Sequence, residues 1–273
     1  MTAVTHQRRT RARVRTAARV GVAVVLALAG LAPPASATTL IVLVGDRGFV
    51  IAADSLRTLA GGGTRSVCKI HDAGGVVYGF AGAVSSDRFD ATAIAARELA
   101  GGGDLGQKAR RIADALQAGL VEHFRLQRID GTRRELIDAQ RGRPVTGFVA
   151  ALVDGRPQGF LVLVLAAPAT DGVTLTTRVD PLETKGRDRA IFLSSQHPEV
   201  IEEANRSVSG SEHVSMPTLV EAATRLVDLD LQLESGRSVA QRKSGPPITV
   251  AVLDREGFRR AVPGVCAASP PRR

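Results

Sequence analysis

The sequence predicts an α+β fold in which two stacked antiparallel sheets lie between layers of helix. Three observations predict it. The apolar runs are short and unbroken, without polar alternation, so their strands are covered on both faces. The helical segments come in pairs, each with one apolar stripe that has to rest on something, most simply a sheet. The order of elements is strands, two helices, strands, two helices, strands, with turn residues at the short joints.

The chain begins with a segment that reads as an address. Residues 1–37 hold Arg8, Arg9, Arg11, Arg13, Arg15 and Arg19 and no acid, then an apolar run over 21–32, then Ala35-Ser36-Ala37. A basic start, an apolar middle and small residues before a cut make a secretory signal. Roughly 12–14 apolar residues fall short of the ~20 that a spanning helix needs, so a membrane anchor is the poorer reading. Cleavage after Ala37 leaves a domain over 38–262, a loose tail over 263–273 rich in breakers, and a secreted or periplasmic protein with no membrane contact of its own.

Residues 40–44 and 49–53 are apolar runs joined by Gly45-Asp46-Arg47-Gly48, a hairpin. A Gly-rich loop follows over 60–64. Residues 67–71 and 76–80 make a second strand pair around Asp72-Ala73-Gly74-Gly75. The first helix is capped by Ser85, Ser86 or Asp87, carries Phe89, Ala93 and Ala96 at helical spacing, and stops at Gly101-Gly102-Gly103. Asp104 caps the second, with Leu105, Ile112, Leu116, Leu120 and Phe124 on one stripe. Strands return over 146–153, 160–166, 173–179 and 190–193. A short helix over 198–204 precedes a longer one over 218–234, opened by a Thr218/Glu221 capping box and striped by Leu219, Ala223, Leu226, Leu229 and Leu233. Strands over 248–253 and 258–262 close the chain.

Composition excludes several classes. The net charge of +9 loses six arginines with the leader, which leaves +3. With aromatics at 3%, one Tyr and no Trp, little is available for bases to stack on, so nucleic acid is excluded as a partner. Cys68 and Cys266 are too few for a thiolate metal site, and one disulfide or two unpaired thiols fit equally well. The five histidines show no metal-ligand spacing, so no metal or other cofactor is expected. Neither glycine run is followed by the Lys-Ser/Thr of a phosphate loop, and no nucleophile elbow is present.

The chemistry gathers at the cut. Cleavage before Thr38 makes that threonine the first residue, and its α-amine, with a reference pKa near 8, becomes a base two bonds from the Cβ that bears the hydroxyl. A neighbouring cation would lower the amine's pKa and steady the alkoxide, a carboxylate would hold that cation, and a backbone N–H would take the oxyanion. Asp54 directly follows Phe-Val-Ile-Ala-Ala, where a carboxylate is costly unless paired. Lys69 stands between apolar strand residues with the same need. The two satisfy one another either as part of a site or as a purely structural pair.

The stretch TTLIVLVGDRGFVIAADS resembles the opening of proteasome β-type subunits and their bacterial relatives, N-terminal-nucleophile (Ntn) hydrolases. The likeness is close over 38–87 and extends to element order over most of the chain. It implies a four-layer αββα sandwich and amide-bond hydrolysis by the terminal threonine. Residue by residue it implies Thr38 as nucleophile, Asp54 sixteen positions later as the carboxylate holding Lys69, and the Gly82 N–H in GFAGAV as oxyanion donor. Ser194 in AIFLSS, with Ser195 as the alternative, and Ser244 in Ser244-Gly245 would lie near the amine, and the Thr58 backbone would pair with an extended substrate. Three positions depart from the pattern. Leu56 stands where an arginine is usual, Ala83 replaces a second glycine, and Gln241 replaces an aspartate expected three before Ser244. Phe80, two residues before Gly82 on the same strand, implies a shallow pocket and a preference for small side chains before the cut bond.

Taken together, these residues imply an exported, ATP-independent threonine hydrolase acting on peptides or unfolded chains. In the family such subunits form rings, so a homo-oligomer fits. A small-molecule amidase or acylase on the same nucleophile, or a non-catalytic assembly or binding subunit, are the alternatives.

Overall fold

Every residue described below belongs to one compact unit within Ala35–Arg273. The computed structural model describes residues 39–58, 64–86, 88–126, 142–169, 172–182, 189–192, 195, 197–208, 214–237, 242 and 244–266.

The described elements are mixed α and β. Strands β1 (Leu40–Gly45) and β2 (Gly48–Ala53) form the expected hairpin, and all twelve of their residues are buried. The ribbon β3 (Leu56–Thr58) and β4 (Thr64–Ser66) follows, then β5 (His71–Ala73), β6 (Val76–Gly82) and the short pair β7 (Ser85–Ser86) and β8 (Phe89–Asp90). Helices α1 (Ala91–Ala100) and α2 (Leu105–Leu126) come next. Strands β9 (Val145–Val153), β10 (Arg156–Ala169), β11 (Gly172–Pro181) and β12 (Arg189–Phe192) return, then α3 (Pro198–Val208), α4 (Met216–Ser235), β13 (Thr249–Asp254) and β14 (Gly257–Val262).

Two antiparallel five-stranded sheets hold most of the strands. One has the order β12-β1-β2-β13-β14, the other β11-β10-β9-β6-β5. Their residues divide among three cores. Leu40, Val42, Phe49 and Ile51 of the first sheet meet Val77, Ala81, Phe148 and Ala150 of the second. The other faces are covered by helix. Ile41, Leu43, Val50 and Val252 lie with Leu219, Ala223 and Leu226 of α4, while Tyr78, Phe80, Val149 and Val162 lie with Ile112, Leu116 and Leu120 of α2. This two-sided burial is why β1 and β2 read as continuous apolar runs.

Local boundaries differ from the sequence expectation where side-chain oxygens compete for helix starts. Asp90 caps α1, accepting from the Thr92 and Ala93 N–H groups at 2.8 and 3.0 Å, so Phe89 sits in β8 instead of the helix. Ser215 caps α4 ahead of the Thr218/Glu221 box. The 67–71 strand is only β5, beginning at His71. Val67 instead donates to the Ser55 carbonyl at 2.8 Å, which ties the intervening segment to the end of β2 and away from the sheet.

The tail expected to be loose is anchored at its start. Cys266 is buried and disulfide-bonded to Cys68 across 198 residues, which settles the cysteine question in favour of pairing.

Candidate active site

The carboxylate of Asp54, at the end of β2, gathers four segments of chain. Its Oδ1 accepts from the Thr39 backbone N–H at 2.9 Å and from Lys69 Nζ at 2.6 Å. Its Oδ2 accepts from the N–H groups of Leu56 at 2.9 Å and Gly245 at 3.0 Å. Asp54 has to lie at this point because β1 and β2 pair Leu40 with Ala53, which sets Thr39 beside it. Lys69 reaches it because Gly79 lets the lysine's backbone come close. A Cβ on Gly79 would stand 2.6 Å from the Lys69 carbonyl oxygen.

Both partners are almost wholly buried, so the pair is shielded from solvent screening. Burial is the largest influence on each. It lowers the Lys69 ammonium below the usual lysine range against the pull of Asp54, and raises the Asp54 carboxyl against Lys69 and the amides of Gly245 and Leu56. A lysine of reduced proton affinity held beside the head of β1 is suited to proton handling there.

A second carboxylate, unforeseen in the sequence, completes the cluster. Asp230 on α4 accepts from the hydroxyls of Ser195 and Ser244, each at 2.6 Å, and from that of Thr39. Asp230 and Ser244 are 2% exposed, and the charge of Asp230 is felt at Lys69. A carboxylate therefore reaches Ser244 from a helix, fourteen residues before it. A signal for it was present. The buried stripe of α4 runs Leu219, Ala223, Leu226, Asp230, Glu234, so the helical repeat itself sets two acids on the covered face. The stripe drawn through Leu229 and Leu233 instead follows residues that are only partly buried. Glu234 is partnered in turn by His197 Nε2 at 2.8 Å and by Arg237 at 3.1 Å.

Of the residues expected to form the site, Asp54, Lys69 and Ser244 are brought together around Thr39. Gly82 ends β6 with φ of 98°, a conformation that favours glycine, and the next amide, that of Ala83, donates to the Pro144 carbonyl at 2.8 Å. Thr58 ends β3. Thr38, Ser194 and Gln241 lie outside the described residues, as does the leader. Between the two candidate serines, Ser195 is the one whose described position reaches Asp230. Phe80 is 4% exposed, with its ring over Gly147 on the helix-facing side of β6.

Neither a family model nor a curated protein matches this sequence. Solved structures do. Anbu (ancestral beta-subunit) from Yersinia bercovieri matches with a TM-score of 0.53 at 12% identity, over 82% of this chain and 87% of that one. The Anbu complex from Pseudomonas aeruginosa, whose structure is of a helical assembly, gives 0.53 at 12% identity over 82% of this chain and 86% of that one. These likenesses show an Anbu-like fold. They also correct the identification as a proteasome β-subunit-like Ntn hydrolase of the N-terminal threonine type behind a secretory signal. The structures found similar are Anbu subunits, and at 12% identity the likeness reaches the fold alone. The physical reason lies in the window that carried the resemblance. Residues 38–87 are the sheet-forming front of the chain, and their apolar runs and turn glycines specify an architecture more strongly than a type of subunit.

Proposed function

We propose that this chain is a self-assembling subunit of Anbu-like architecture, a four-layer αββα sandwich, with an amide-hydrolysing centre at the head of β1. Assembly has the broader support, because the fold likeness is to Anbu proteins, one of them described as a helical assembly. The three cores, one between the sheets and one under each helix pair, support the four-layer reading.

The hydrolytic reading is carried by one observation: two buried carboxylates and a buried lysine converge on Thr39, the residue after Thr38. Burying three ionisable groups at one spot is costly, and a plain strand end gains nothing from it. In the proposed reaction Thr38 becomes the first residue on export, and its hydroxyl attacks a peptide carbonyl. The α-amine takes the proton and returns it to the leaving amine. The Gly82 N–H takes the oxyanion, Lys69 lowers the proton affinity of the hydroxyl, and water then releases the acyl group. Asp230, with Ser195 and Ser244, positions the amine, and no ATP is required.

Amino-terminal sequencing of the secreted protein tests the mechanism, and a start other than Thr38 refutes it. With the correct start, a threonine-directed electrophile should label the wild type and leave Thr38→Ala unlabelled. Light scattering reads assembly separately. A large homo-oligomer that takes no label would make the chain an assembly subunit without catalysis, and a labelled monomer would refute assembly.

A further inference from the structure

Directly after Asp54 the chain runs out into the β3–β4 ribbon, and that ribbon is oddly charged. From residue 55 to residue 71 the sequence holds Arg57, Arg65, Lys69 and His71 and no acid. Arg57 and Arg65 are directly opposed in the ribbon's register, which sets two like charges side by side on one face. That arrangement is unfavourable as it stands. The Arg57 Nε is also sealed from solvent and has no hydrogen-bond partner among the described residues. A buried guanidinium nitrogen left in that condition costs stability.

The surroundings supply little compensation. Arg57 is held below the usual arginine range by burial first and then by Arg65, and the acid opposing this is Asp90. One oxygen of Asp90 is already engaged, since its Oδ1 accepts two N–H groups at the start of α1. His71, whose ring stacks on Tyr78 at 5.4 Å between centroids, is pushed below its usual range by burial, then by Arg57, and is neutral at pH 7. Tyr78 leans on Phe80, which leads along β6 to Gly82. Leu56, the residue before Arg57, donates its N–H to Asp54, so the ribbon that carries the guanidinium leaves directly from the site.

We propose that Arg57, backed by Arg65 and His71, is a carboxylate-recognising subsite that selects peptides with an aspartate or glutamate beside the cut bond. An incoming carboxylate would relieve the Arg57–Arg65 repulsion and bring a counter-charge to the guanidinium. The inference deepens the hydrolase reading and rests on it for the word "cut".

Two arms separate its failure from that of the hydrolase reading. In the first, the mature protein meets fluorogenic peptides that differ only before the reporter: Asp, Glu, Asn, Gln, Ala, Leu, Phe or Lys. Asp or Glu should exceed its amide counterpart at least tenfold in kcat/KM, chiefly through KM, and Arg57→Glu should reverse the Glu-to-Lys ratio. Equal cleavage of acid and amide peptides, or best cleavage of Phe or Lys, overturns the proposal while leaving hydrolysis intact. The second arm needs no turnover. Fluorescein-labelled Ala-Ala-Asp and Ala-Ala-Asn are titrated into the Thr38→Ala chain and followed by anisotropy. At least tenfold tighter binding of the Asp peptide, lost in Arg57→Gln, sustains the subsite even if no peptide is cleaved. Equal binding of the two overturns it. Circular dichroism on each Arg57 variant excludes misfolding as the cause.

Discussion

Lys69→Met removes the cation from the Asp54 pair and leaves the carboxylate inside the protein. Breaking a buried ion pair from one side costs about 3–5 kcal/mol, because the remaining charge is uncompensated. Asp54 keeps three backbone donors, from Thr39, Leu56 and Gly245 at 2.9–3.0 Å, and these partly solvate it. The expected loss is therefore at the low end, about 3 kcal/mol, or a fall in Tm of roughly 6–12 °C for a domain of this size. Asp54→Asn strands the ammonium instead and puts an amide against N–H donors. The double variant removes both charges, so it should cost clearly less than the sum of the two. Urea unfolding of the four proteins gives the coupling directly, with about 2 kcal/mol expected from a pair this close and this buried. A coupling below about 0.5 kcal/mol would mean that the two groups do not sense one another, and the argument for a shared charge at the head of β1 would fail. The measurement depends neither on a cut before Thr38 nor on any substrate.

Other expectations follow from individual contacts. The Cys68→Ser/Cys266→Ser variant opens a link spanning 198 residues, for which chain entropy predicts a loss approaching about 5 kcal/mol; the wild type under strong reductant should unfold at the same denaturant concentration as the variant. Gly147→Ala would set a methyl 2.1 Å from Phe80 Cδ1 and 2.7 Å from the Gly79 carbonyl oxygen, so thermal unfolding should show a loss of at least about 1–3 kcal/mol, and an unchanged Tm would contradict the packing described. Asp254 is held below its ordinary 3.8 chiefly by its hydrogen bond from Arg259. Between the folded and ordinary values the unfolded chain binds more protons, so this stabilisation is full above 3.8 and is lost as pH falls through the lower folded value. Arg259 is 45% exposed, so the effect after solvent screening stays below about 1 kcal/mol, read as a flatter acid limb of Tm against pH in Asp254→Asn.

Much of this was legible in the sequence because it rests on local rules. The unbroken apolar runs announced β1 and β2, and a carboxylate straight after the second run announced a buried partner. The features that were not legible depend on geometry between distant segments. Nothing near Gln241 says that a carboxylate arrives from α4. Only the helix's own repeat, extended one turn past Leu226, would have pointed to Asp230. The pairing of Cys68 with Cys266 depends on two strands meeting at the same side of the molecule, which spacing along the chain does not encode. Asp90 lost to Ser85, Ser86 and Asp87 as the expected cap of α1 because serine and aspartate both cap well, and it is the short β7–β8 pairing, which takes up Ser85 and Ser86, that leaves the helix start to Asp90.

The disulfide has a mechanical consequence. β5 is the outermost strand of one sheet and β14 the outermost strand of the other. Cys68 lies three residues before β5 and Cys266 four after β14, so the bond clasps those two sheet edges to one another. Two sheets clasped in this way stay joined at that pair of edge strands even where other contacts between them loosen. The same bond fastens the lysine segment, since Lys69 directly follows Cys68, so the Lys69–Asp54 pair is held from the far end of the chain as well as from β2.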